Sequence, residues 1–241
     1  MKSAATALAA ILLMTSDSMG APAGSAGSRR FPPAELRDVA HEYYRWYYHE
    51  FPVAASDAGM HEGDSRLAAF SAPVREKRSR KAADILQRLD QADTTSWSVD
   101  DRVDLELFRA DVARLDFEER VLRRARRDPG LYVEECTNGI FSLLKKDYQP
   151  RRQRARSAIA RMRTMPALLS EARTELVEVV PLLASLARQS VDGAPPLFND
   201  SLGILEDDLS APERADLVNA REGALRALKD FGVWLKSAEK S

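Results

Sequence analysis

Apolar residues recur every three to four positions through most of this sequence, which is the spacing of one face of an α-helix. The clearest stripe consists of Leu105, Phe108, Val112, Leu115 and Leu122. No segment shows the two-residue alternation expected of paired strands, and no unit repeats at a fixed period. The pattern therefore predicts an all-α fold, a multi-helix array of about seven to nine helices.

Proline and serine mark the expected helix starts, because both suit the first turn of a helix. The helix that starts at Ser98 is expected to run to about Arg126, where Asp128-Pro129-Gly130 stops it. A basic helix follows, and we expect Pro166 to interrupt or kink it. The predicted starts are Pro33, Ser71, Ser98 and Pro150.

The N-terminus has the composition of a cleavable export signal. Lys2 precedes the apolar run Ala4–Met14, and Ala21-Pro22-Ala23 has the small-x-small pattern that a signal peptidase accepts. We expect residues 1–23 to be a signal peptide, 24–33 a flexible linker and 34–241 a helical domain. The protein is then exported, either periplasmic or secreted. An alanine-rich disordered leader is the alternative, and a lipid anchor is not expected because no cysteine follows the apolar run.

Charge and composition exclude some classes of function. The chain has 36 basic and 37 acidic residues and a formal net charge of −1, so the basic excess of a nucleic-acid-binding protein is missing. No stretch beyond the N-terminal run is apolar enough to predict a membrane span. Cys136 is the single cysteine, so no disulfide can form within the chain.

No complete catalytic or metal site is predicted from the sequence. A zinc-binding helix needs two histidines four residues apart with a glutamate after the first. His41, His49 and His61 are each followed by glutamate, but none has a histidine four positions later. The nucleophile motif Gly-x-Ser-x-Gly and the glycine-rich phosphate loop do not occur either. Cys136 is expected to be a buried, inert thiol.

Polar residues on the predicted helices leave two interpretations open. Arginines cluster at 123–127 and at 151–156, and one interpretation is a groove for a phosphate or carboxylate ligand. In the alternative, the first cluster complements the dipole of a helix C-terminus, and the second pairs with acidic residues of neighbouring helices, namely Glu118, Glu119, Glu171 or Glu175. Tyr132 and Asn138 either line a ligand channel or act as buried or capping groups. The candidate ligand-channel residues are Tyr132, Asn138, Arg161 and Arg163.

Several short segments resemble a bacterial family catalogued as domain of unknown function 885. Each segment is short, but their order and spacing along the chain match the family. They are Pro52–Gly59 (Pro-x-x-Ala-Ser-x-x-Gly), Leu67–Ser71, Trp97–Asp104, Asp128-Pro129 with Tyr132, Gly139-Ile140 and Arg161–Leu169.

This resemblance implies a helical, often exported protein related to gluzincin-type zinc metallopeptidases. The family carries its His-Glu and Tyr-Pro-Gly-His-His zinc signature in a C-terminal half, and nothing in this chain matches it. The resemblance thus implies an N-terminal half alone, a substrate-channel wall or lid without catalytic or metal residues. Zinc is expected only in the missing half, and the expected partners are that half or a peptide substrate.

Two alternatives to a peptidase half stay open. The chain could be a stand-alone periplasmic binding or scaffold protein without enzymatic activity, or a complete enzyme of unknown type. The sequence indicates no oligomeric state.

Overall fold

The computed structural model describes residues 31–238, and all regular structure within that range is helical. The all-α class is therefore confirmed, and seven of the helices have twelve or more residues. The predicted signal peptide and residues 24–30 of the predicted linker lie outside the described residues. The α-helices are α1 Pro33–Glu50, α2 Pro52–Asp57, α3 Ala72–Leu89, α4 Val99–Asp116, α5 Arg124–Arg127, α6 Gly130–Leu144, α7 Arg151–Glu175, α8 Pro181–Asp192, α9 Pro195–Asn199 and α10 Ala211–Ala238.

The predicted helix starts agree with the structure. α1 begins at Pro33, α3 follows Ser71, and α7 follows Pro150. Before α4, the Ser98 hydroxyl accepts a hydrogen bond from the backbone N–H of Asp101 at 3.1 Å. That bond satisfies one of the N–H groups that the first turn of a helix leaves without an internal partner.

The helix predicted from Ser98 to Arg126 is shorter than expected. Its α-helical part ends at Asp116, and a wider π-helical turn continues it through Phe117–Leu122. Arg123 then adopts the left-handed conformation at φ 51°, which redirects the chain into the short helix α5. This conformation is costly for a residue with a Cβ atom, so sequence patterning did not predict it.

Pro166 does not interrupt its helix, so the first of the two expected outcomes, an interruption, is wrong. α7 runs unbroken over 25 residues with Pro166 inside it. Proline removes one backbone hydrogen bond there, but the buried side chains that precede and follow it along α7 hold the helix in place. The buried residues of α7 include Met162, Met165, Leu168 and Leu169.

The chain divides into two compact units, and the first comprises residues up to Tyr47 together with Glu76–Val121. Its helices are α1 as far as Tyr47, α3 from Glu76 and α4. The Tyr43 ring lies 5.4 Å from the Phe108 ring, edge to face, and links α1 to α4. Lys81 of α3 pairs with Glu42 of α1.

The second unit comprises Tyr48–Arg75 and the chain from Leu122 onward. α7 packs against α6 and α10, and α10 also packs against α8. Its core contains fully buried Ile140, Leu143, Met162 and Phe231. Gly139 allows a close approach, because a Cβ atom there would lie 2.8 Å from a methyl group of Leu67.

None of the helices within residues 31–238 is long and apolar enough to cross a bilayer.

Candidate functional site

A fully buried arginine, Arg161 of α7, organises the polar interior of the second unit. Its guanidinium makes five hydrogen bonds, which equals the number of N–H donors that an arginine side chain carries. The acceptors are the backbone carbonyl oxygens of Pro52, Arg66 and Gly139 and the hydroxyl oxygens of Ser56 and Ser142, at 2.6 to 3.3 Å.

These acceptors come largely from the segments that carry the family resemblance. Pro52 and Ser56 belong to the Pro-x-x-Ala-Ser-x-x-Gly segment, and Gly139 opens the Gly-Ile pair. Arg161 is the first residue of the Arg161–Leu169 segment. The fold thus gathers short motifs that are far apart in sequence around one guanidinium.

Asp64 extends this cluster towards the surface. Its carboxylate accepts hydrogen bonds at 2.5 Å from the hydroxyl groups of Ser56 and Tyr148. Nδ1 of His61 lies 3.2 Å from the same carboxylate, and the His61 and Tyr148 rings stack with centroids 3.4 Å apart. Sequence reasoning missed Asp64, His61 and Tyr148 as parts of one cluster, because 84 positions separate Asp64 from Tyr148.

Burial governs the electrostatics of the cluster. Desolvation lowers the pKa of Arg161 from its ordinary value, and the nearby charges of Asp64 and Glu135 oppose that effect. Burial raises the pKa of the Tyr148 phenol, and its hydrogen bond to Asp64 raises it further. Tyr148 is therefore a hydrogen-bond donor at neutral pH. Every N–H donor of Arg161 is bonded, and its bonds fix α7 against α2 and α6.

Three glutamates hold the extended segment that precedes α3. The backbone N–H groups of Ala68 and Phe70 donate to the carboxylates of Glu135 and Glu171, at 2.6 and 3.2 Å. Glu175 accepts from the backbone N–H of Ala72 and pairs with Arg75 at 2.5 Å. Carboxylates therefore supply acceptors that a neighbouring strand would otherwise provide.

The other predicted ligand-channel residues differ in burial and in the contacts that they make. Tyr132 is fully buried, and its hydroxyl donates to the carbonyl oxygen of Ala125 at 2.8 Å. Asn138 is exposed, and exposed Arg163 pairs with Asp216 at 3.1 Å. Their role in a ligand channel stays a prediction.

Both arginine clusters contain ion pairs. In the first, Arg123 and Arg126 pair with Glu178 at 2.7 and 2.9 Å. In the second, Arg152 and Arg156 pair with Glu213 at 2.8 and 2.9 Å. The second cluster thus pairs with an acidic residue, as the alternative interpretation predicted, but Glu213 was not among the glutamates that it named.

The chemistry-bearing residues singled out in the sequence do not assemble a metal centre in the described part. Among residues 31–238, no group of three histidine, cysteine, aspartate or glutamate side chains is arranged to hold a metal ion. The imidazole of His61 contacts Asp64, and that of His49 contacts Arg66 at 3.5 Å. Cys136 is fully buried, which raises the pKa of its thiol and keeps it protonated.

An exposed apolar surface runs along the outer side of α4 and into the π-helical turn. We call it the α4 face and define it by Val103, Leu107, Ala110, Phe117 and Val121. The four large residues keep 50%, 54%, 48% and 54% of their surface accessible. The opposite side of the helix carries the predicted stripe, of which Leu122 is itself exposed. α4 is therefore apolar on two opposite sides, and neighbouring helices cover only one.

Comparisons with known proteins place this fold in a family. A solved structure from Shewanella oneidensis, described as a "putative lipoprotein of unknown function", matches with a TM-score of 0.74 and 21% sequence identity. The match covers 85% of this chain and 38% of the other, so the chain spans well under half the length of that protein. No protein with a curated description matches the sequence. The family described as "Bacterial protein of unknown function (DUF885)" matches residues 52–241, and the chain belongs to that family.

Proposed function

We propose that this chain is a catalytically incomplete helical portion of an exported, zinc metallopeptidase-like protein. It acts by pairing with a second part that supplies the catalytic residues and the zinc. Its helices would form a wall or lid of the substrate channel.

The α4 face is the observation that carries this proposal. Four large apolar side chains about half exposed on one helix are unusual for a surface that always faces water, and such patches mark contact sites. The length of the Shewanella oneidensis structure supports the proposal, because the match covers only 38% of that chain and leaves the larger part of it without a counterpart here.

The buried Arg161 cluster fits the same role. A wall that must keep its shape beside a moving substrate needs rigid internal contacts, and a saturated guanidinium supplies them. None of the donors of Arg161 is available to bind a ligand. In this proposal, recognition belongs to the α4 face of the first unit and structural support to the Arg161 cluster inside the second.

A chimera tests the proposal. The matched 38% of the Shewanella oneidensis protein is replaced by this chain, and the control is this chain fused to an unrelated soluble domain. Binding of a hydrophobic dye and zinc-dependent hydrolysis of a peptide panel are measured for the chimera, the control and the chain alone. We expect only the chimera to hydrolyse peptides, with loss on chelation, and to bind less dye than the control.

Two results would overturn the proposal. A chain that is monomeric alone, binds little dye and selects a peptide or partner would be a stand-alone binding protein. A chain that alone holds one equivalent of zinc and hydrolyses peptides until a chelator is added would be a complete enzyme.

A further inference from the structure

The α4 face has the geometry of a helix that packs lengthwise against another helix. Its residues are separated by four, three, seven and four positions, which is the alternating four-and-three spacing of a heptad pattern. The step of seven passes over Arg114, which occupies the remaining position of that pattern. The α-helical part of the seam, from Val103 to the end of α4 at Asp116, covers 13 residue steps, or about 20 Å at 1.5 Å per residue, and the π-helical turn extends it to Val121. We infer that the α4 face binds an amphipathic helix of the second part whose apolar seam is bordered by lysine or arginine.

The sign of the partner's charge follows from the acidic border of the seam. Asp100, Asp104, Asp111 and Glu118 are spaced by four, seven and seven residues, so they lie along the same side of the apolar seam. Within residues 31–238, neither Asp100 nor Asp104 takes part in an ion pair or a side-chain hydrogen bond. Their charges face solvent beside the seam and attract a basic border on the helix that covers it.

Asp111 and Glu118, the other two acidic residues of this border, have hydrogen-bond partners within the chain that fix their positions. The Tyr44 hydroxyl donates to Asp111 at 2.8 Å, and Arg114 donates to Glu118 at 3.1 Å. Both carboxylates stay partly accessible. Arg114 also lies 3.9 Å from Asp111, so the uncompensated negative charge beside the seam is concentrated at Asp100 and Asp104.

A second copy of the chain is a poor occupant for the same reason. In an antiparallel pair of α4 helices, the acidic border of one copy would lie along that of the other. In a parallel pair, the heptad places Glu106 of one copy opposite Asp111 of the next. Like charges at these bordering positions oppose pairing, and they favour a partner of opposite charge.

This inference rests on the proposed function, because it names the chemistry of the surface that holds the second part. Two fluorescent 21-residue helical peptides test it, both with leucine at the seam positions and with either lysine or glutamate at the bordering positions. Fluorescence anisotropy with the full chain is expected to show at least about tenfold tighter binding of the lysine peptide. Raising the salt concentration should reduce that preference.

Three variants show where and how the peptide binds. Asp100→Lys with Asp104→Lys should reverse the preference in favour of the glutamate peptide. Asp84→Lys with Glu222→Lys changes the net charge equally but lies off the α4 face, so the preference should persist. Leu107→Ser with Phe117→Ser should abolish binding of both peptides, and circular dichroism checks that each variant stays helical.

Several outcomes would overturn the inference. They are equal binding of the two peptides, no binding of either, or a preference that Asp100→Lys with Asp104→Lys leaves unchanged. Sedimentation showing a dimer that Leu107→Ser with Phe117→Ser dissociates would assign the face to a second copy. If the chimera hydrolyses peptides while the charge preference fails, this inference alone falls. If the preference holds while the chimera is inactive, the proposed function falls instead.

Discussion

At the scale of single residues, Arg161 shows how a charged group can serve a structural purpose. A guanidinium without exposed surface is costly to bury, and five hydrogen bonds offset that cost. No carboxylate touches Arg161 directly in these bonds, since its acceptors are neutral carbonyl and hydroxyl oxygens. Asp64 supplies compensating negative charge, and Ser56 links it to Arg161 by accepting from Arg161 and donating to Asp64.

Replacing Arg161 by methionine should destabilise the protein strongly. The substitution removes five hydrogen bonds, four of them buried, and we expect the free energy of unfolding to fall by at least about 3 kcal/mol. The matched change Arg163→Met removes an exposed pair with Asp216 and should cost less than about 1 kcal/mol. Urea unfolding followed by circular dichroism measures both, and equal losses would contradict a structural role for Arg161.

Glu213 should contribute to the pH dependence of stability. Hydrogen bonds from Arg152, Ser210 and Arg156 lower the pKa of its carboxyl below the ordinary value of 4.5. A carboxyl with a lowered folded-state pKa stabilises the fold above its unfolded-state pKa, and that contribution is lost as the pH falls towards the folded-state value.

The stability difference between the wild type and Glu213→Gln should therefore be largest near pH 7 and should shrink below about pH 4.5. Thermal unfolding at pH 7, 5, 4 and 3 measures this difference. Glu222→Gln, which removes an exposed pair with Arg226 within α10, serves as the control. A difference for Glu213→Gln that stays constant from pH 7 to pH 3 would show that the charge of Glu213 does not stabilise the fold.

At the scale of elements, the helices follow local signals except where packing opposes them. Serine and proline place the starts of α1, α3, α4 and α7 correctly. The short helix α2 was not predicted, because six residues are too few to show a helical period. The end of α4 was also missed, because the apolar pattern continues through the π-helical turn into Leu122.

Pro166→Ala should stabilise the protein. Pro166 is exposed inside α7. Proline within a helix is about 3 kcal/mol less favourable than alanine. Proline also restricts the unfolded chain, but that effect offsets only about 1 kcal/mol of this cost. We expect a gain of about 1 to 3 kcal/mol in urea unfolding. Pro212→Ala, also exposed but in the first turn of α10, should change stability by less than about 1 kcal/mol. A loss of stability in Pro166→Ala would contradict this prediction and indicate that Pro166 makes native contacts that alanine does not replace.

At the scale of the whole molecule, the described chain consists of two compact units, and each carries a different feature. The three-helix unit carries the α4 face, and the larger unit carries the Arg161 cluster. The family match begins at Pro52 and runs through the last residue, so it includes part of each unit. We expect the contact surface and the supporting cluster to serve one shared architecture.

Export of the whole chain can be tested at the predicted cleavage site. Expressed from its first residue in a bacterial host, the protein should reach the periplasm with Gly24 as its first residue, as mass spectrometry of that fraction would show. Ala23→Arg should block cleavage, because signal peptidase requires a small residue there. A wild-type protein that keeps residues 1–23, or stays in the cytoplasm, would contradict the prediction.

The sequence by itself determined the helical class and most helix starts, because those depend on side chains within a few positions of one another. It also pointed to Arg161, although as a ligand contact. Only the tertiary structure decided that its donors are saturated, since the bond to Pro52 joins residues 109 positions apart. The exposure of the α4 face was likewise decided in three dimensions. From sequence alone, a helix that is apolar on two sides is expected to be buried on both. Only the packing shows which side the neighbouring helices cover.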